Sequence, residues 1–96
     1  MSFHTYILYS KRIDRFYVGS TAHLQKRLLQ HNNRESSYTS VGVPWNLIWS
    51  TGKEARFEAE QLERKLKNLT RVRKIRFMKK YRQGIFDELL LEAIVP

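Results

Sequence analysis

Cysteine is missing altogether from these 96 residues. Its absence excludes disulfides and thiolate zinc sites, and it suits an intracellular, cytoplasmic chain. Proline and glycine are sparse, at two and four, and there is neither an internal repeat nor a low-complexity segment. No run of 18 apolar residues exists, so no transmembrane helix is expected. The N-terminus lacks a basic region followed by an apolar stretch, so no signal peptide is expected either. Negative charge is scarce: nine Asp and Glu face eighteen Lys and Arg, a net charge of +9. Such an imbalance attracts polyanions, because Lys and Arg displace counterions from phosphates. Nucleic acid is therefore the expected partner, and no membrane is.

What is present is a core. Hydrophobic residues make up 42%, with five Phe, five Tyr and two Trp among them. A chain of this length forms one domain, 1–96, and buries roughly 60–70% of the surface it exposes when unfolded. Residues 3–9, FHTYILY, read as a strand, and 10–15 as a hairpin loop. Residues 16–19 read as the returning strand, antiparallel because so short a connection cannot make a parallel crossover. Ser20 or Thr21 is expected to cap a helix over 22–31. A long loop over 32–44 follows, in which Tyr38 and Thr39 could edge a groove. WNLIWS, 45–50, is a third strand, then helices are expected over 54–69, 71–82 with Thr70 as its cap, and about 85–94. The order ββαβααα describes a small α+β domain: a three-stranded antiparallel sheet flanked by helices, with a core at about 3–82.

Three surfaces stand out. On the first helix Ala22, Leu24, Leu28 and Leu29 span an apolar arc of about 160°. Arg27 and His31, one turn apart, lie at its rim, where packing holds a side chain while its head stays open. On the second helix Ala55, Ala59, Leu62, Leu66 and Leu69 form a stripe with Glu63 on its edge. From Arg64 to Arg82 there are ten Lys and Arg and no acid. Arg73, Arg76 and Lys80 share one face of the third helix and are the expected phosphate-contacting surface.

Tyr6-Ile7-Leu8, Phe16-Tyr17-Val18-Gly19, a helix carrying Lys26-Arg27-Leu28 and then His31, and Glu63 on a later helix together resemble the GIY-YIG nuclease superfamily. The likeness covers about residues 3–82. It is strongest to the short stand-alone members, which are similar to the N-terminal nuclease domain of the excision-repair incision subunit. The second motif is nearly literal. In the first, His4-Thr5-Tyr6 stands where the family has Gly-Ile-Tyr. The resemblance implies that Tyr6 and Tyr17 sit side by side facing a scissile phosphate, one of them helping to deprotonate water. It implies that Arg27 binds the phosphate, that His31 handles protons or contacts phosphate, and that Glu63 holds a single divalent cation, Mg²⁺ or Mn²⁺. Gly19 would let backbone approach the site, and Lys26 would join the nucleic-acid contacts. The residue types suit that chemistry. A phenol with a reference pKa near 10 needs a nearby cation to act as a base. A lone carboxylate suits a mostly hydrated Mg²⁺, and the arginine fork matches two phosphate oxygens. The implied activity is metal-dependent endonucleolytic hydrolysis, of DNA ahead of RNA, in DNA repair or recombination. Two other functions compete: a nucleic-acid-binding module without turnover, and a subunit that docks on a partner or on itself through IFDELLLEAI.

Overall fold

The computed structural model describes residues 2–35 and 38–96. Ser36 and Ser37, within the long loop, lie outside the described residues, as does Met1. The elements are β1 (Phe3–Ser10), β2 (Arg15–Thr21), α1 (Leu24–Asn32), β3 (Asn46–Lys53), α2 (Arg56–Lys67), α3 (Arg71–Lys80) and α4 (Glu88–Ala93), with short 3₁₀ turns at Ser40–Gly42 and Arg82–Gly84. The expected order ββαβααα is the observed one, in an antiparallel sheet ordered β2-β1-β3.

Register decides which side chains share a face. Tyr6 pairs with Gly19 and Leu8 with Tyr17, so both tyrosines point to one side of the sheet. That side buries Tyr6, Leu8, Trp45 and Leu47, with Tyr17, Leu24, Leu28 and Val43 packed on them. The opposite side buries Ile7, Tyr9, Val18, Ile48 and Trp49 against Leu66 of α2, Ile75 and Met78 of α3, and Leu90 and Leu91 of α4. Ile48 and Trp49 are adjacent in sequence yet lie in the same cluster. The cause is a register shift: Ile7 pairs with Trp49 but Leu8 with Leu47, leaving Ile48 as an extra residue in β3.

Several local expectations are corrected. Neither Ser20 nor Thr21 caps α1. Both belong to β2, the N-cap residue is His23 without a side-chain cap, and the Thr21 hydroxyl accepts from the His23 N–H at 3.0 Å. Leu29 is exposed, so the buried arc of α1 is narrower than the helical pattern suggests. The last helix starts at Glu88, not 85, with Asp87 accepting from the Leu90 N–H. Ile85 instead bridges Trp49, and the Phe86 N–H donates to the Ile48 carbonyl, covering the outer edge of β3. Leu90, Leu91 and Ile94 are buried in the protein's own core, leaving Phe86, Leu89 and Val95 outside. Thr70 caps α3 as expected, accepting from the Arg73 N–H at 3.2 Å. Among the described residues, no helix is long and apolar enough to cross a membrane.

Candidate functional site

Four of the expected side chains meet on the α1 side of the sheet. The Tyr6 and Tyr17 rings are 6.4 Å apart, His31 lies 6.0 Å from Tyr6 and 4.8 Å from Tyr17, and Arg27 stands beside both phenols. Gly19 makes the cluster possible. A Cβ there would come within 2.5 Å of the Tyr6 hydroxyl oxygen, so the phenol occupies the space that any other residue would fill.

The cluster differs from the expectation in depth. His31 was expected to be held at the rim with its head open, yet it is 1% exposed, and so is Tyr6. α1 has one fully buried residue, and it is this histidine. Burial of an imidazole requires partners for both nitrogens. Nε2 is 3.0 Å from the Tyr6 hydroxyl and Nδ1 is 2.9 Å from the Thr39 hydroxyl. Thr39 is itself fixed, since its carbonyl accepts from the Trp45 indole N–H at 2.7 Å. Asn32 then holds Trp45 through both the backbone N–H and the carbonyl of that residue. The end of the long loop is thus tied to the histidine. Tyr17 is half-buried and is the phenol that opens outward.

Electrostatics follow from depth. Burial pushes the Tyr6 phenol up to about 12, with the Arg27 guanidinium pulling against it. Burial, and then the charge of Arg27, hold His31 below the ordinary imidazole range, so it is neutral at pH 7. The phenols in turn raise the pKa of the Arg27 guanidinium, the Tyr6 contact foremost.

Glu63 approaches from the other side. α2 lies over the opposite face of the sheet, but β2 is an edge strand, and the carboxylate reaches that edge. Oε1 accepts from the Ser20 hydroxyl at 2.5 Å, and Oε2 lies 2.7 Å from the Lys67 ammonium. Ser20 adjoins Gly19, and the charge of Glu63 is felt at the Tyr6 phenol, raising it slightly further. Next to this edge a trough of about 530 Å³ is lined by Phe16, Tyr17, Val18, Tyr38, Lys67 and Lys74.

A divalent cation can be tested against this donor set. Among the described residues, no group of three or more His, Asp or Glu gathers as a ligand cage. Glu63 offers one carboxylate with 20% of its side-chain surface exposed. That does not suit zinc, which needs three or four protein ligands. It does suit Mg²⁺ or Mn²⁺ keeping most of their waters and sharing the rest of the shell with substrate phosphate.

The remaining expectations separate. Lys26 shares a shallow hollow with Arg27, Thr21, His23 and Gln30. Arg73, Arg76 and Lys80 are exposed on α3, but the α3 residue lining the trough with Tyr17 is Lys74. Ser20 and Lys67 were not expected at the site. Lys67 had a signal, four residues after Glu63 on one helix. Ser20 was hidden by its resemblance to a helix cap.

Comparison with known proteins agrees with this fold. The family model of the GIY-YIG catalytic domain matches residues 2–76. A UPF0213 protein of Bacillus velezensis is 37% identical over 69 residues, covering 71% of this chain and 70% of that protein. The solution NMR structure of a UPF0213 protein from Bacillus halodurans superposes with a TM-score of 0.54 at 26% identity, over 82% of this chain and 84% of the other. Sheet order, the paired tyrosines and the extent of the match lead to one assignment: this chain belongs to the GIY-YIG family, a nuclease superfamily.

Proposed function

We propose that the protein is a metal-dependent endonuclease that hydrolyses DNA phosphodiester bonds, acting in repair or recombination. The observation that carries this reading is the meeting of Tyr6, Tyr17, Arg27 and His31 on one side of β2, with Glu63 at the edge of that strand. Arg27 would grip two non-bridging oxygens of the scissile phosphate and offset charge developing there. Tyr17, the outward phenol, would orient the attacking water. In the histidine tautomer protonated at Nδ1, Thr39 accepts from that N–H and Nε2 accepts from the Tyr6 hydroxyl. A neutral His31 can then receive a proton drawn inward through Tyr6 as water bonds to phosphorus and the P–O bond to the leaving group breaks. Glu63 would hold Mg²⁺ or Mn²⁺, whose chemistry there would be charge stabilisation at the phosphoryl and leaving oxygens, the leaving oxygen taking its proton from solvent.

Nicking of supercoiled plasmid and of branched DNA in Mg²⁺ tests this reading on wild type, Arg27→Ala and Glu63→Ala. Each substitution should cost at least ~10²-fold in rate. Equal cleavage by all three proteins would place the activity elsewhere. A second reading, a DNA- or RNA-binding module without turnover, draws support from the Lys67 ammonium seated on Glu63. It expects salt-sensitive binding that survives Glu63→Ala and no cleavage of any substrate.

A further inference from the structure

The Glu63 carboxylate has two neighbours of different kinds. Ser20 gives Oε1 a neutral hydrogen bond from the sheet, fixing where the carboxylate sits. Lys67 gives Oε2 a full positive charge from one turn further along α2. A carboxylate that is to receive a cation thus already faces one. The ammonium is not locked in place: the Lys67 side chain is 50% exposed and also lines the trough beside Tyr17 and Tyr38. Lys74 lines the same trough, its ammonium held by the Leu69 carbonyl at 2.6 Å. The trough therefore offers two ammonium groups and exposed aromatic surface, the combination that takes a sugar–phosphate backbone with a base against a ring.

We propose that Lys67 is the internal counter-ion of Glu63, displaced when a divalent cation binds and transferred to a backbone phosphate in the Tyr17–Tyr38 trough. The inference rests on the reading of Glu63 as the metal ligand. Metal and substrate are coupled through it. Metal binding frees the lysine for phosphate, and phosphate holding the lysine clears the carboxylate for metal, so each favours the other by the same factor. Ser20 keeps its bond to Oε1 throughout and is a positioning residue.

The test is Mn²⁺ binding to the full chain, followed by the paramagnetic signal of free Mn²⁺, for wild type, Lys67→Met, Ser20→Ala and Glu63→Gln. Lys67→Met should bind Mn²⁺ about two- to fivefold more tightly, the fold-change equivalent of losing a part-exposed ion pair of ~0.5–1 kcal/mol. Ser20→Ala should bind more weakly than wild type. A second measurement uses a phosphorothioate oligonucleotide, with Mn²⁺ or with chelator. The loss of affinity caused by Lys67→Met should be larger with Mn²⁺, because only then is the wild-type lysine free. If Glu63→Gln abolishes Mn²⁺ binding while Lys67→Met leaves it unchanged or weaker, the counter-ion role is wrong and the metal ligand stands. Unaltered Mn²⁺ binding by Glu63→Gln would instead remove the metal ligand itself, and the proposal with it.

Discussion

At the scale of single residues, the deciding fact is that Tyr6 is a buried phenol bonded to a buried imidazole. Its folded-state pKa of about 12 exceeds its ordinary 10.0, so the unfolded chain releases that proton first. Unfolding then releases a proton between pH 10 and 12, and alkali favours the unfolded state. Below pH 10 this contribution is fully present. Across the window, wild type should lose on the order of 2 kcal/mol that Tyr6→Phe does not lose. At pH 7 Tyr6→Phe should instead be the less stable protein by about 1 kcal/mol, because His31 loses a buried partner. Urea unfolding at pH 7 and pH 11 measures both, with about half of the alkaline loss reached by pH 11, and parallel pH profiles for the two proteins would contradict the burial argument. Gly19 supplies the complementary experiment. Gly19→Ala sets a methyl 2.5 Å from the Tyr6 oxygen and 2.6 Å from Cζ, against a ring that the core surrounds. The ring must move, at about 1–3 kcal/mol. The His31 ring proton resonances should shift with it. A mutant with unchanged stability and an unchanged His31 spectrum would mean that the phenol is not seated there.

At the scale of elements, caps and bulges decide where the sequence could be read and where it could not. Thr70 precedes a helical pattern without competition from other roles, and it caps α3. Thr70→Ala should cost about 1 kcal/mol, lowering the melting temperature by about 4–8 °C. Calorimetry checks this, and a shift under 1 °C would show that the bond at residue 70 contributes nothing. Ser20 looks like an equally good cap, yet its hydroxyl serves Glu63, 43 residues away. A cap is a local preference, and a tertiary carboxylate outcompetes it without leaving any mark in the neighbouring residues. The strands were legible because aromatic and β-branched residues cluster in them. The face assignment of β3 was not, because the extra residue at Ile48 breaks the alternation on which such an assignment depends. His31 shows the same limit inside the site. Its angular position beside Arg27 follows from helix geometry. Its depth depends on the Thr39 hydroxyl and the Trp45 indole, which the loop brings across α1. Ile85 and Phe86 continue a helical pattern on paper but extend along β3, because that edge would otherwise leave Ile48 and Trp49 open to water.

At the scale of the whole molecule, the question is how a net charge of +9 is arranged. Of the ten Lys and Arg between residues 64 and 82, Lys67 pairs with Glu63, Arg71 with Asp14, and Arg82 with Glu88. Arg71 also donates to the Val95 carbonyl, tying the start of α3 to the chain end, so its role is architectural. Lys74 donates to the Leu69 carbonyl and lies in the trough. Arg73, Arg76 and Lys80 share the exposed face of α3. The basic residues of this stretch therefore fall in part into the trough beside the phenols and in part onto the outer face of α3, and the two places make different demands on a bound duplex. If the outer face contacts backbone phosphates, replacing its three cations by glutamine should reduce the slope of log K against log salt by about 2–3, at roughly 0.9 per phosphate contact. Affinity should fall uniformly across sequences, because phosphate contacts position and do not read bases. Replacing Lys67 and Lys74 removes charge next to Tyr17 and Tyr38 instead. Its effect on the salt slope should be smaller, at most about 2, and its effect on cleavage larger. Fluorescence anisotropy on a fixed duplex from 50 to 300 mM salt separates the two. A triple variant at residues 73, 76 and 80 that keeps the wild-type slope would leave the trough as the phosphate contact and assign the outer face of α3 to solvation alone.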